Sequence, residues 1–419
     1  MPHRFSLLAG LLLGVLFAHP APLLGQSHQL PLEKALEAAP VQRAQQHVSD
    51  HRQRAAERLV RIGQIQAPSG QERERALAVR DLMQEIGLKS PRVDDLNNAV
   101  GVVPGTTDSV LVFISTLDDL ATVAEHQAAA EEPPQIDGDR VVGPGTNTSS
   151  TTVAMLTAAE ALRSQNIRPR HTLVFAAVAQ EETGLRGMRR VYEDYQDRAV
   201  AFVDILGDGS SISYGALAIH WWRVEASGPA GHTLRGGLPN VNQGIGRAVD
   251  RILQLPHPET YDDQNTRLNI AVIESGEVFN HKPEDGWFSL DLRSLDPTVV
   301  EDMERAVDSV LKSTTEETDI EFERVPETLV PGGQIPGLRD SDLVHSSAAI
   351  ARYLKRDPEL SPVGSSNMNI AIAGGTPAIG LGGDRGGKRG HPGEWASIPA
   401  MMRTAEHVLL LAVTMGGMN

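Results

Sequence analysis

Two adjacent glutamates, Glu181 and Glu182, follow directly after an apolar run in the segment AQEETGLRG (179–187). Carboxylates ligate divalent cations and act as general acids and bases. In open α/β sheets, ligands bind beyond the carboxyl ends of the strands. A pair of acids at this point could therefore contact a bound ligand or metal. A solvated first helical turn, where acids interact favourably with the helix dipole, is the alternative interpretation.

Two histidines lie in glycine-rich segments. His232 belongs to SGPAGHTLRGGLPN (227–240), and His391 precedes Glu394 in GGDRGGKRGHPGEW (382–395). Imidazole binds metals and transfers protons near neutral pH, and glycine neighbours allow a ligand to approach closely. An ordinary surface loop is the alternative for both segments.

The segment VGPGTNTSSTTVAML (142–156) has the form of a ligand-binding loop without a charge. A Gly-Pro-Gly turn leads into hydroxyl and amide side chains from Thr146 to Thr152, and a helix is expected over 150–164. Small residues before a helix N-terminus suit a bound ligand or metal. No G-x-S-x-G, H-E-x-x-H, P-loop or G-x-G-x-x-G motif is present, and the absence of cysteine excludes thiolate chemistry and disulfides.

Buried apolar runs alternate with helical patterns over the first half of the chain. Strands are expected at 109–116, 171–179 and 199–206, and helices at 42–64, from the break at 68–70 to about residue 86, at 150–164 and at 184–195. Buried strands between helices predict an α/β fold whose mostly parallel sheet is covered on both faces.

The pattern changes after about residue 215. Strands at 216–228, 267–274, 286–293 and 318–324 alternate with helices at 241–254 and 297–313, which is the β-α-β-β-α-β order of a ferredoxin-like unit. The α/β pattern resumes with a helix at 340–354, a strand at 376–382 and a helix at 397–415. The sequence therefore predicts one α/β domain, 42–215 and 335–419, interrupted by an α+β insertion, 216–330.

Composition narrows the class of protein. The 419 residues carry a net charge of −16, and no basic patch is longer than the RGGKR run at 385–389, so nucleic acid is not an expected partner. Residues 7–18 are an apolar run that suits a signal-peptide core and is too short to span a bilayer. We expect residues 1–25 to be a signal peptide, the mature protein to be secreted or periplasmic, and no membrane association after cleavage.

Taken together, these segments resemble peptidase family M-twenty, which includes glutamate carboxypeptidase, aminoacylase and peptidase T. The resemblance rests on the interrupted α/β domain, the Glu-Glu pair after a strand, the G-x-x-G-H segment of the insertion and the late histidine before Glu-Trp. It implies a di-zinc hydrolase of peptide or N-acyl amino acid bonds. It further implies that Glu181 is the general base, that Glu182 and His391 are metal ligands, and that Asp118 is a further catalytic residue.

The resemblance also places residues at positions where the family pattern has other types. Thr116 stands at the histidine of an H-x-D strand end, Thr148 at the bridging aspartate, and Leu206 at the next acid, with Asp208 as a candidate substitute nearby. In the insertion, His232 matches a catalytic histidine that reaches the partner subunit in dimers, and Asn280 and Arg293 match substrate-binding positions. A homodimer through the insertion is therefore expected.

Three hypotheses follow. A catalytic zinc needs about three protein ligands, and a metal pair needs a bridging group as well. The first hypothesis is therefore an exported protein of this fold that binds a peptide or N-acyl amino acid with an impaired di-zinc site. The second is an active hydrolase with one divalent cation held by Asp118, Asp119, Glu182, Asp208 and His391. The third is a non-catalytic dimeric interaction protein. Without metals, the acids should either bind a cation or include one with a raised pKa.

Overall fold

The computed structural model describes residues 30–256 and 262–418, so the predicted signal peptide lies outside the described residues. The chain has the α/β architecture predicted from its sequence. An eight-stranded sheet is covered by helices, and a second, five-stranded antiparallel sheet carries two further helices.

The described residues form a series of α-helices in both parts of the chain. They are α1 (Leu32–Glu37), α2 (Ala39–Asp50), α3 (Arg52–Gly63), α4 (Arg73–Glu85), α5 (Ala121–Ala129), α6 (Thr146–Ser164), α7 (Arg186–Tyr195), α8 (Val241–Leu253), α9 (Pro297–Thr318), α10 (Asp342–Tyr353), α11 (Met368–Ala373) and α12 (Ile398–Gly416).

The strands are β1 (Lys89–Val93), β2 (Ala99–Val103), β3 (Val110–Thr116), β4 (Gln135–Asp137), β5 (Arg140–Val142), β6 (Thr172–Val178), β7 (Ala199–Ile205), β8 (Ser211–Ser213), β9 (Gly215–Ala216), β10 (Ala218–Ser227), β11 (Gly231–His232), β12 (Arg267–Asn269), β13 (Ile273–Ser275), β14 (His281–Lys282), β15 (Asp285–Ser294), β16 (Glu321–Val330), β17 (Gly333–Gln334), β18 (Glu359–Ser361), β19 (Ala378–Gly382), β20 (Gly386–Gly387) and β21 (Trp395–Ser397).

The large sheet has the strand order β1-β2-β6-β3-β7-β19-β8-β18. Its centre is parallel, since β3 runs parallel to both β6 and β7, and β19 runs parallel to β7. Every residue of β3 is buried, as expected for a strand covered on both faces. The carboxyl ends of β3, β6 and β7 therefore meet at one edge of the sheet.

The expectation of a mostly parallel sheet holds for this centre and for the edge pair of β8 and β18, whereas the remaining pairs make the sheet mixed. β1 and β2 pair antiparallel, as do β2 and β6, and β19 and β8. The short connection between β1 and β2 explains the first of these pairs, because parallel neighbours need crossovers of about a dozen residues or more.

Two of the predicted elements, one helix and one strand, need correction. The helix expected at 42–64 is two helices, α2 and α3, separated at His51, whose backbone leaves the helical region and whose ring Nδ1 lies 2.8 Å from the carbonyl oxygen of His47. The strand expected at 267–274 is likewise divided into β12 and β13, which both pair with β15.

The inserted unit has the sheet order β12-β15-β10-β16, the order expected of a ferredoxin-like unit. One face of this sheet packs on α8 and α9, and Val224, Phe288 and Leu290 are buried there. The inserted unit thus has a hydrophobic core of its own, apart from the large one around the central sheet. Within the described ranges, no helix combines the length and apolarity needed to cross a bilayer.

Candidate functional site

The Glu-Glu pair and Asp118 come together because they follow neighbouring parallel strands. Thr116, the last residue of β3, lies opposite Val178, the last residue of β6. The carboxylate of Asp118 accepts hydrogen bonds from the backbone N–H groups of Glu181, at 3.0 Å, and Glu182, at 3.1 Å. We call Asp118, Glu181 and Glu182 the acidic site.

Like charges within the acidic site shift its protonation. Burial and the neighbouring charges of Glu182 and Asp118 raise the pKa of Glu181 to about 8. Burial also raises the pKa of Asp118 to about 6, although the two backbone N–H groups oppose that shift. At neutral pH, Glu181 therefore holds a proton while Asp118 is mostly ionised, as expected when acids crowd one site.

The uncharged segment is not a loop but the start of α6. This helix begins at Thr146 rather than at residue 150, directly after Gly145, whose φ of +82° is accessible to glycine. The carboxylate of Glu394 accepts hydrogen bonds from the backbone N–H of Asn147, at 3.0 Å, and of Gly390, at 3.2 Å. An acceptor from the far end of the chain therefore caps the helix, a partner that local sequence cannot reveal.

An arginine lies between α6 and the acidic site. The Nε of Arg389 donates to Thr148 Oγ1 at 3.2 Å, and its Nη2 donates to the Glu182 carboxylate. Thr148 and Glu182 are the predicted positions of a replaced bridging ligand and a retained metal ligand. One guanidinium therefore contacts both, so this protein supplies a positive charge of its own to the acidic site.

The residues at the other predicted ligand positions already make contacts within the protein, either hydrogen bonds or ion pairs. Thr116 is buried and its Oγ1 accepts a hydrogen bond from Asn367 Nδ2 at 3.2 Å. Leu206 is partly buried and its backbone N–H donates to the carbonyl of Leu381, which continues the pairing of β7 with β19. Neither side chain offers a carboxylate or an imidazole to a metal.

The candidate substitute, Asp208, is bound to arginines. Its fully buried carboxylate accepts hydrogen bonds from Arg356 and Arg403, both at 3.0 Å, and from Ser210 at 2.8 Å. Burial opposes its ionisation, but these donors lower its pKa below the ordinary value. Asp119 also forms an ion pair with an arginine, because its buried carboxylate lies 2.6 Å from Arg75 Nη2.

His391 is exposed, and its backbone N–H closes a turn onto the carbonyl of Lys388. Among the described residues, the one group of three or more acids and imidazoles with ligand atoms within 4.8 Å of each other is His47, His51 and Glu160. That group lies where α2 and α3 meet α6, and Glu160 is already paired with Arg58. Among the described residues, the acidic site thus holds no such group of three, and the guanidinium of Arg389 contacts Glu182 instead.

Two of the three predicted residues of the insertion, His232 and Asn280, lie together, and the third does not. Nδ2 of Asn280 lies 3.1 Å from Nε2 of His232, and the His232 Nδ1 accepts the backbone N–H of Leu234. Arg293 is elsewhere in the inserted sheet, bound to Asp291 at 2.9 Å and stacked over Trp221. The roles expected for His232, Asn280 and Arg293 remain predictions.

The contributions of Arg389 and Glu394 were not predicted from the sequence. The sequence interpretation treated 385–389 only as a short basic run and Glu394 only as a neighbour of His391. Two arginines in a glycine-rich segment, next to a predicted acidic site with too few cations, were the signal that could have found them.

The sequence model described as Peptidase family M20/M25/M40 matches residues 119–414. A succinyl-diaminopimelate desuccinylase from Corynebacterium glutamicum is 23% identical over 330 residues, covering 77% of this chain and 86% of that relative.

Two solved structures are similar in fold. The aminopeptidase PepT from Bacillus cereus is 18% identical with a TM-score of 0.72, and the alignment covers 86% of this chain and 97% of PepT. The YXEP protein of Bacillus subtilis, described as a dinuclear metal-binding peptidase, is 15% identical with a TM-score of 0.66, covering 87% of this chain and 99% of that one.

Proposed function

This chain belongs to peptidase family M20/M25/M40, and from that premise we propose that it is an exported protein which binds a peptide or an N-acyl amino acid without di-zinc hydrolysis. The observation that carries the proposal is the contact of one guanidinium, that of Arg389, with both Thr148 and Glu182. A metal bound by Glu182 would have to displace this ion pair.

The chemistry of the residues supports the absence of a metal-activated water. A metal pair lowers the pKa of a bound water toward about 7, which is the chemistry that the group supplies to a hydrolase. In the metal-free protein, burial and the charges of Glu182 and Asp118 raise the pKa of Glu181, the residue expected to act as general base, to about 8, so that it holds a proton at neutral pH. In this state it is a hydrogen-bond donor rather than a base.

The same residues are suited to holding an amide ligand. A protonated Glu181 donates to a carbonyl oxygen, and the ionised Asp118 keeps the Glu181–Glu182 turn in place through two backbone hydrogen bonds. The ligand class is proposed from the relatives, whose names specify a succinylated diamino acid in one case and a peptidase in the other.

Export and dimerisation are parts of the proposal that rest on other features. Export is proposed from the apolar run at 7–18. A homodimer is proposed from the insertion, where Phe279 and Leu234 expose large apolar side chains beside the His232–Asn280 pair. Sedimentation of the protein over a range of concentrations tests whether it forms a homodimer.

The test of the central claim combines metal analysis with calorimetry. The protein is dialysed against trace zinc and its metal content measured by plasma mass spectrometry, and it is then titrated with N-acyl amino acids and short peptides. We expect no stoichiometric metal, measurable binding and no cleaved product. Two metals per chain with cleavage would identify a conventional hydrolase. One metal, lost in Glu182→Gln, would support the mononuclear hypothesis instead.

A further inference from the structure

Two histidines face each other where α2 ends and α3 begins. His47 lies in the last turn of α2 and His51 follows one helical turn later, so both rings lie on the same side of the chain. Their ring centroids are 3.8 Å apart. Glu160, on α6, completes the group, since one ligand atom from each of the three side chains lies within 4.8 Å of the others. Two imidazoles and a carboxylate therefore meet at one place.

The hydrogen bonds of the two imidazoles leave a nitrogen of each ring free to bind a metal. Nδ1 of His51 lies 2.8 Å from the carbonyl oxygen of His47. Because a carbonyl oxygen only accepts, Nδ1 carries the proton and Nε2 of the neutral His51 ring keeps its lone pair. A carbonyl behind the ring is also the arrangement that orients imidazoles in metal sites. Nε2 of His47 is buried and makes no hydrogen bond to any described residue. A metal ion would supply the partner that this buried nitrogen needs.

Glu160 is the anionic member of the group, and an arginine holds it in place. Its buried carboxylate accepts hydrogen bonds from Arg58 at 2.5 and 3.2 Å, and Nη1 of Arg54 lies 3.4 Å from the same carboxylate. A carboxylate offers about four lone pairs, so the ion pair orients Glu160 without using every acceptor. The two arginines oppose the approach of a cation, so the binding must come mainly from the imidazole nitrogens.

We propose that His47, His51 and Glu160 bind one divalent transition-metal ion, for which zinc is the best match. Imidazole suits zinc, copper and nickel, whereas calcium and magnesium prefer oxygen ligands. Two histidines and a glutamate are also a ligand set that zinc uses together with a water molecule. The ion joins the junction of α2 and α3 to α6.

This group is separate from the acidic site. Glu160 lies about 18 Å along α6 from Thr148, by the helical rise of about 1.5 Å per residue. The inference therefore goes beyond the proposed function and does not depend on the ligand of the acidic site. Since Arg54 and Arg58 limit the affinity, we expect zinc to bind in the micromolar range and to be lost on dialysis against trace zinc.

The experiment is a calorimetric titration of the metal-free protein with zinc chloride at about pH 7.5, where an ordinary imidazole is neutral. We expect a single zinc ion to bind. His47→Gln and His51→Gln should each weaken binding roughly 10-fold or more, because two ligands remain where about three are needed. Both variants keep the ion pair of Arg58 with Glu160, and urea unfolding without zinc checks that both are folded.

The matched control is His345→Gln, which removes an exposed imidazole from another helix, α10. This variant should bind zinc as the wild type does. No zinc binding by the wild type, or equal binding by the wild type, His47→Gln and His51→Gln, would overturn the inference alone. Binding that is lost only in Glu182→Gln would overturn it as well, and would also contradict the proposed function, because the ion would then lie at the acidic site.

Discussion

Replacing Arg389 by glutamine removes the positive charge that contacts both Glu182 and Thr148. The side chains of Arg389 and Glu182 are 28% and 24% exposed, so water screens their attraction only in part. Hydrogen bonds to charged groups contribute about 1.5–3 kcal/mol, and exposed ion pairs about 0–1 kcal/mol. We therefore expect a coupling energy between the two side chains of about 1.5–2 kcal/mol.

A double-mutant cycle measures that energy. The free energies of unfolding of the wild type, Arg389→Gln, Glu182→Gln and the double variant are determined in urea at pH 7 without added metal. The double variant should be more stable than the sum of the two single losses predicts, because Glu182 is not left unpaired in it. The control cycle uses Arg61 and Glu85, whose exposed side chains are 2.9 Å apart.

The control pair should give a coupling energy below about 1 kcal/mol, as is usual for an exposed pair. If the Arg389–Glu182 coupling does not exceed that of the control, Arg389 does not neutralise the acidic site, and the argument against a metal at Glu182 loses its basis. Repeating the cycle with zinc present checks the same point, because zinc should stabilise Arg389→Gln more than the wild-type protein if the arginine competes with a cation.

Three further outcomes are expected from urea unfolding. Burial lowers the pKa of His407 from 6.5 to about 4, so the unfolded chain takes up the proton first as pH falls. The contribution of His407 to stability should therefore fall by about 3 kcal/mol between pH 6.5 and pH 4, measured as the change in the difference between the wild type and His407→Gln; a constant difference would contradict this. Asp208→Asn should cost about 3 kcal/mol, because it leaves Arg356 and Arg403 facing a neutral amide; a loss below 1 kcal/mol would contradict this. Glu394→Ala should cost about 1–2 kcal/mol and speed hydrogen exchange in the first turn of α6, whereas unchanged exchange would show that the cap is dispensable.

Much of the fold is predictable because its signals are local. A buried strand such as β3 is recognisable as a continuous apolar run. The insertion is recognisable because its strands alternate apolar and polar residues. The antiparallel pairing of β2 with β6 was not predictable in this way. Pairing direction depends on which strands become neighbours, and a run of apolar residues carries no information about its partner.

The acidic site was likewise predictable only in the features that depend on local sequence. Glu181 and Glu182 were found because their type and their place after a strand are properties of nine consecutive residues. The sequence also predicted that one of these acids has a raised pKa when no metal is bound. The arginine that pairs with Glu182 was not predicted, since Arg389 reaches Glu182 across 207 positions of sequence. That contact exists only because the parallel sheet brings the end of β6 to the glycine-rich segment before α12. Sequence therefore places the acids, whereas the packing of distant segments decides that the cation of Arg389 contacts Glu182.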